Sequence, residues 1–209
     1  MEFQRVIARR RMVRRYSPEP VPQSTIDRLL TNAVRAPSAG FSQGWSFLVL
    51  DSREDVDRFW ASSTPPQRAA EPDSWLQGMR QAPLVIVLFS SRDAYLRRYA
   101  EPDKGWNDGS KSDSAESRWP VPYWHIDTGM ASLLILLTAV DEQLGACFFG
   151  IPTGQVSAVC HEFGVPHEWT PIGAITVGYP AADERVIGSA RSRRRKEPHE
   201  VVHRGHWSQ

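Results

Sequence analysis

Arg10, Arg11 and Arg14 are the residues of this chain best suited to grip an anion. A guanidinium is always charged and forks onto two phosphate oxygens at once. On a helix, positions 10 and 14 share one face and 11 lies beside them, so together they can close on a phosphate dianion. A solvated basic helix face has the same pattern. A second basic run, Arg191-Ser192-Arg193-Arg194-Arg195-Lys196, lies near the other end. It reads as a solvated tail, a second phosphate clamp or a nucleic-acid tail. The last is the weakest, because the net charge is only +1 and no reading helix or interleaved aromatics accompany the run.

Other chemistry is thin. His125, His161, His167, His199, His203 and His206 make no metal set, and Cys147 and Cys160 lack metal spacing. Both cysteines sit in apolar patterns and read as buried thiols, free in a reducing cytoplasm. No nucleophile elbow occurs. Trp75, Trp106, Trp119 and Trp124, with Tyr95, Tyr99 and Tyr123, crowd one region. They are either packing or an aromatic wall for a planar substrate. Ala36-Pro37-Ser38-Ala39-Gly40-Phe41-Ser42-Gln43-Gly44-Trp45 cannot be regular structure. It is a plain connector, or a loop whose backbone comes close to something flat or charged.

Around these residues the pattern places a basic helix over 3–15, broken at Tyr16-Ser17-Pro18. A second helix begins at Ser24, with Asp27 as a capping-box partner. A strand follows over 46–51, then a helix over Glu54–Trp60, a loop over 62–74 and a helix over Trp75–Gln81. Leu84–Phe89 is a continuous apolar run, as in a central strand covered on both faces. Residues 92–122 form a polar excursion, a lid or insertion. Asp127 caps a helix that runs to about Leu144 and stops at Gly145. That helix is apolar nearly all round and too short to span a bilayer, so it belongs in a core or a subunit interface. Short elements over 146–149, 153–163 and 172–178 complete one domain over 1–209, with a basic extension from about 184. There is no convincing βαβ series and no dinucleotide glycine fingerprint, so the class is α+β, or α/β without a standard Rossmann signature.

With these elements in order, the chain resembles the nitroreductase family. Arg10-Arg11-Met12-Val13-Arg14-Arg15-Tyr16, then Pro20-Val21-Pro22, is similar to that family's Arg-Arg-Ser-Val-Arg-x-Phe…Pro-Val. Ala36 to Trp45 is similar to its Ala-Pro-Ser-x-x-Asn-x-Gln-Pro-Trp. The helix from Asp127, the run Pro171–Pro180 and the closing Val201-Val202-His203…Trp207 match later landmarks. The resemblance implies a three-layer α/β/α fold with a mainly antiparallel sheet, a long buried central helix and a C-terminal extension. It implies a homodimer holding FMN in sites built from both subunits; beside it stand the readings from the residues of a cytoplasmic protein with no nucleic-acid, metal or membrane partner.

It also gives the residues roles. Arg10, Arg11, Arg194 and Lys196 match phosphate and ribityl contacts, with Met12 in the same segment. Arg14 matches the cation beside the ring's N1 and O2, where reduction builds negative charge. Ser38, Ala39 and Phe41 match the segment the partner lays on the ring, and Phe149 and Gly150 the stretch near N5. The implied reaction is reduction of a small planar acceptor, a nitroaromatic or quinone, by NADH or NADPH. Met12 stands where the family has Ser, Phe41 where it often has Asn, and Gly44 where it has Pro. Gly40-Phe41-x-Gln is closer to the branch whose enzyme fragments FMN to dimethylbenzimidazole. A flavin-storage protein with little turnover is the non-enzymatic alternative.

Overall fold

The computed structural model describes residues 1–104, 119–185 and 192–207. A four-stranded sheet organises them, in the order β1 (Trp45–Leu50), β2 (Leu84–Ser90), β4 (Thr170–Gly178), β3 (Gly145–Phe149). Every pairing between these strands is antiparallel. The expected mixed α+β class holds, without parallel crossover units.

β2 explains the layering. All seven of its residues are buried. Leu84, Ile86 and Leu88 pack with one core cluster, and Val85, Val87 and Phe89 with the other. That is the two-residue period of a strand covered on both faces. One cover is α2 (Gln23–Ala33) and α7 (Tyr123–Asp141), through Ile26, Leu29, Ile135 and Ala139. The other is α3 (Arg53–Ser63), α5 (Ser74–Met79) and α8 (Val156–Glu162), through Val56, Phe59, Leu76, Met79 and Val159. Each fully buried aliphatic side chain contributes about 1.5–3 kcal/mol. The result is the expected α/β/α arrangement.

Several local expectations are corrected. The basic helix stops early: α1 spans Phe3–Arg9, and Arg10 only caps it. Residues 10–16 run beside the sheet instead. Val13 N–H donates to Ala146 O (3.0 Å), Met12 pairs with Ala146, and Tyr16 pairs with Pro180. Burial of Val13 and Tyr16 (each 3% exposed) and the edge hydrogen bonds outweigh helix propensity. Arg10 and Arg14 therefore share no helical face.

α2 begins at Gln23 behind Pro22 with no side-chain cap, and Asp27 accepts from Gln23 Nε2 (2.9 Å). The 62–74 stretch contains a short helix, α4 (Pro66–Ala70). α7 begins at Tyr123, four residues before Asp127, so Asp127 caps nothing in its own helix. Its end is marked by Gln143 at φ 63°, and Gly145 instead opens β3. There a Cβ would lie 2.7 Å from the Val13 side chain, so Gly145 lets the arginine arm dock. The polar excursion starts as α6 (Arg92–Tyr99) and a turn over Pro102–Lys104. Trp106 and the rest of 105–118, and Arg191, lie outside the described residues.

α7 is long and apolar enough to cross a membrane by length and composition alone, yet half of its apolar window is buried within the protein. Its other face is open. Ile126, Met130 and Leu133 are 38%, 41% and 47% exposed and fall on one side of the helix. Phe3 and Ile7 of the neighbouring α1 are exposed too. The long helix is thus buried on one face only.

Candidate functional site

The arginine arm lies along β3 at one edge of the sheet. Arg11 pairs through Nη1 with Glu184, whose side chain is almost wholly buried. The same carboxylate accepts the Arg14 backbone N–H at 3.3 Å. Glu184 thus pins the arm from the far side, and no sequence pattern announced it. Among the described residues the Arg14 guanidinium hydrogen-bonds only Met12 O, at 3.4 Å. Arg10 and Arg14 are both half-buried and have no carboxylate partner among the described residues. Arg15, by contrast, is exposed and pairs with Asp183 at 3.0 Å. Met12 packs against both core clusters, which gives its side chain a packing role in place of the family's hydroxyl.

Phe149 ends β3 inside an aromatic group. Its ring stacks on Trp60 (5.4 Å, 8°) and meets Trp75 edge-on at 5.6 Å. Gly150 is exposed, and a Cβ there would meet nothing within 4 Å. Phe149 and Gly150 line one cleft with Trp60 and Trp75, and Arg14 lines another with Arg15, Asp183 and Glu184. An aromatic wall with an open glycine backbone suits a planar ring, and half-buried guanidiniums without carboxylate partners among the described residues suit an anion. FMN, with a planar ring and a phosphate, carries both.

The loop 38–44 stands at the opposite edge, before β1. The two edge strands are three spacings apart, roughly 14 Å. One protomer therefore does not bring Ser38, Ala39 and Phe41 to Arg14 and Phe149. The loop is strained. Gly40, Phe41 and Gln43 have φ of 62°, 58° and 49°. For the two non-glycine residues this costs about 1–3 kcal/mol each. Phe41 is 72% exposed. The tail is separate as well. Arg194 is exposed and forks onto Glu200 (2.6 and 2.9 Å), and Lys196 is exposed. No hydrogen bond joins Arg194 or Lys196 to the arm among the described residues.

The aromatic residues divide. Trp75 belongs with Trp60 and Phe149, whereas Trp119 meets Tyr95, Tyr99, Tyr123 and Trp124 edge-on at 4.7–6.4 Å. Neither group was separable by spacing.

The titratable groups here offer no nucleophile. Burial pushes the Cys147 thiol up, opposed by the Arg14 charge. Burial also raises the Cys160 thiol, but that residue is only half-buried, short of the expected burial. Burial holds His125 below the ordinary imidazole value, with Nδ1 2.8 Å from Ser90 Oγ. Burial raises Tyr16 well above a free phenol, partly offset by its hydrogen bond to Thr176. No metal-holding group of His, Cys, Asp and Glu exists among the described residues.

The comparisons with known proteins agree with this fold. The nitroreductase family model matches residues 7–179. This chain belongs to the nitroreductase family. A 5,6-dimethylbenzimidazole synthase of Rhodospirillum rubrum is 27% identical over 93% of this chain and 90% of that protein. A relative in Methanothermobacter thermautotrophicus, with NADH dehydrogenase/NAD(P)H nitroreductase in its name, is 26% identical over 87% of this chain and 78% of its own length. A Desulfovibrio desulfuricans protein solved in complex with FMN shares the fold, with a TM-score of 0.69 and 22% identity, over 100% of this chain and 99% of that one. The nitroreductase family members are thus its relatives in sequence and fold, and the family is one of oxidoreductases.

Proposed function

We propose that this nitroreductase-family protein is a cytoplasmic, homodimeric, single-domain FMN oxidoreductase that reduces an electron-poor planar acceptor with NADH or NADPH. The observation that carries this reading is the pair Arg10 and Arg14, half-buried beside β3 and without a carboxylate partner among the described residues. Such cations are ready for an anionic ligand. When bound, FMN supplies hydride transfer between a nicotinamide and the acceptor. The protein supplies binding and orientation. Arg10, with Arg11 exchanging from Glu184, holds the phosphate, and Arg194 and Lys196 close over it from the tail. Arg14 would supply the positive charge that stabilises the reduced, anionic ring. Phe149 and Gly150 form a floor, and Ser38, Ala39 and Phe41 of a second copy cover the opposite side. No side-chain proton donor is required at the ring.

Steady-state kinetics test the proposal. With NADH or NADPH varied at several concentrations of a quinone or nitroaromatic, double-reciprocal lines are expected to be parallel, because the two substrates share one stack and alternate. Intersecting lines, or no turnover with either acceptor, contradict it.

A second reading is favoured by the dimethylbenzimidazole synthase relative and by Phe41. On that reading, reduced FMN and oxygen are the substrates, and the flavin is fragmented. Chromatography of an aerobic reaction separates the two, since only the second yields dimethylbenzimidazole.

A further inference from the structure

Asp127 is an anomaly that the proposed chemistry does not use. It is the fifth residue of α7, 4% exposed, and its flanking turns are apolar. A buried carboxylate is costly unless its oxygens receive hydrogen bonds. Here one oxygen, Oδ2, receives two. Ala39 N–H donates at 2.7 Å and Tyr95 O–H at 2.5 Å. The first donor opens the strained turn at 39–41, and the second sits in α6, at the base of the polar excursion. Burial and the Asp127 charge together raise Tyr95, so the phenol keeps its proton and remains a donor.

The rest of the loop is held from α6. Arg98 Nε donates to Gly40 O at 2.9 Å while its fork grips Asp103. Ser91 N–H donates to Gly44 O at 2.8 Å. A Cβ on Gly40 would lie 2.7 Å from the Tyr99 ring, and one on Gly44 would lie 2.6 Å from the Tyr95 ring. Both glycines thus let the loop lie flat on α6. Two non-glycine residues keep positive φ only when their surroundings over-determine it. Asp127 is the one charged side chain from the central helix in that set of anchors.

We propose that Asp127 is a positioning residue. Its carboxylate fixes the 38–44 loop against α6, sets the outward aim of Phe41, and couples the loop to the base of the excursion that begins at Arg92. The functional part of this rests on the reading that the loop covers the partner's flavin, whereas the positional part does not. Placement of the exposed Phe41 then governs which planar molecule fits over the ring.

Hydrogen exchange on the full chain, without flavin, tests the positional part. In Asp127→Ala, the 38–44 segment is expected to exchange about tenfold faster or more, with β2 unchanged. Asp127→Asn keeps the volume and one acceptor oxygen and is expected to restore most of the protection. If Asp127→Ala fails to fold, Tyr95→Phe decides. It removes one donor and frees the carboxylate to swing, and the loop is expected to exchange about threefold faster. Unchanged exchange at 38–44 in the variant that folds overturns the proposal.

With FMN added, Asp127→Ala is expected to raise the KM for a planar acceptor about tenfold and leave kcat within about threefold. If the wild type takes up no FMN, the flavin reading fails and the exchange result still judges the loop. If KM is unchanged while 38–44 is loosened, the loop does not face the substrate, and that half of the proposal falls.

Discussion

Arg14→Gln is expected to weaken FMN binding about 10- to 100-fold. A hydrogen bond to a charged group is worth about 1.5–3 kcal/mol, and each 1.4 kcal/mol is tenfold in affinity. Glutamine keeps much of the length and loses the charge. The arm should hold its shape in this variant. Arg14 is anchored through its backbone N–H to Glu184, and its neighbours Val13 and Tyr16 are buried. Among the described residues the guanidinium itself makes one long hydrogen bond, to Met12 O. Thermal stability without flavin should therefore stay near that of the wild type. Flavin titration by visible absorbance or fluorescence quenching reads the affinity. Arg28→Gln, which removes an exposed partner of Glu142 on α2, serves as the control and should leave it unchanged. Equal FMN affinity in wild type and Arg14→Gln would remove Arg14 from the site.

The double substitution Met130→Glu with Leu133→Glu should convert a dimer to monomers and abolish tight flavin binding together. Both side chains are over 40% exposed on the open face of α7, on the same side as Ile126. A contiguous apolar patch of this kind marks an interaction surface. Two carboxylates there would each have to be desolvated, at several kcal/mol apiece, to remain in an interface. The dimer dissociation constant should rise by more than about 100-fold by the same arithmetic. Their exposure in the protomer means that the monomer should keep its fold. The loss of flavin is the sharper expectation. It follows because Phe149 ends one edge strand, β3, whereas Phe41 precedes the other, β1. Light scattering and flavin stoichiometry on the same sample check both. A monomer that binds FMN as tightly as the wild type would place the whole site within one chain.

How much of this was legible beforehand differs by element. β2 was readable because seven consecutive apolar or small residues admit little else in the centre of a sheet. The three-layer fold followed from the family landmarks, not from periodicity. The arm was misread because Phe3, Val6 and Ile7 start a true helical pattern and nothing local stops it. The stop comes from β3, whose exposed edge recruits Val13, a contact distant in sequence. Asp127 was misread for a related reason. An acid ahead of an apolar run looks like a cap, yet its partners, Ala39 and Tyr95, lie 88 and 32 residues away. A charged residue with no local partner in an otherwise apolar helix was the available signal. Glu184 gave no signal at all. The arginines, the loop and Phe149–Gly150 were legible as types, but their division between two edges of the sheet was visible only in three dimensions.

The central claim is that two copies of this chain build a site that binds FMN and lets a nicotinamide reduce it. The most direct measurement is an anaerobic titration. Flavin-free protein is loaded with FMN, desalted, and treated with NADH or NADPH while the visible flavin bands are recorded. One FMN retained per chain, bleached by at least one of the two nicotinamides and restored by a quinone, is the expected result. A colourless protein after loading, or a bound flavin that neither nicotinamide bleaches, would contradict it.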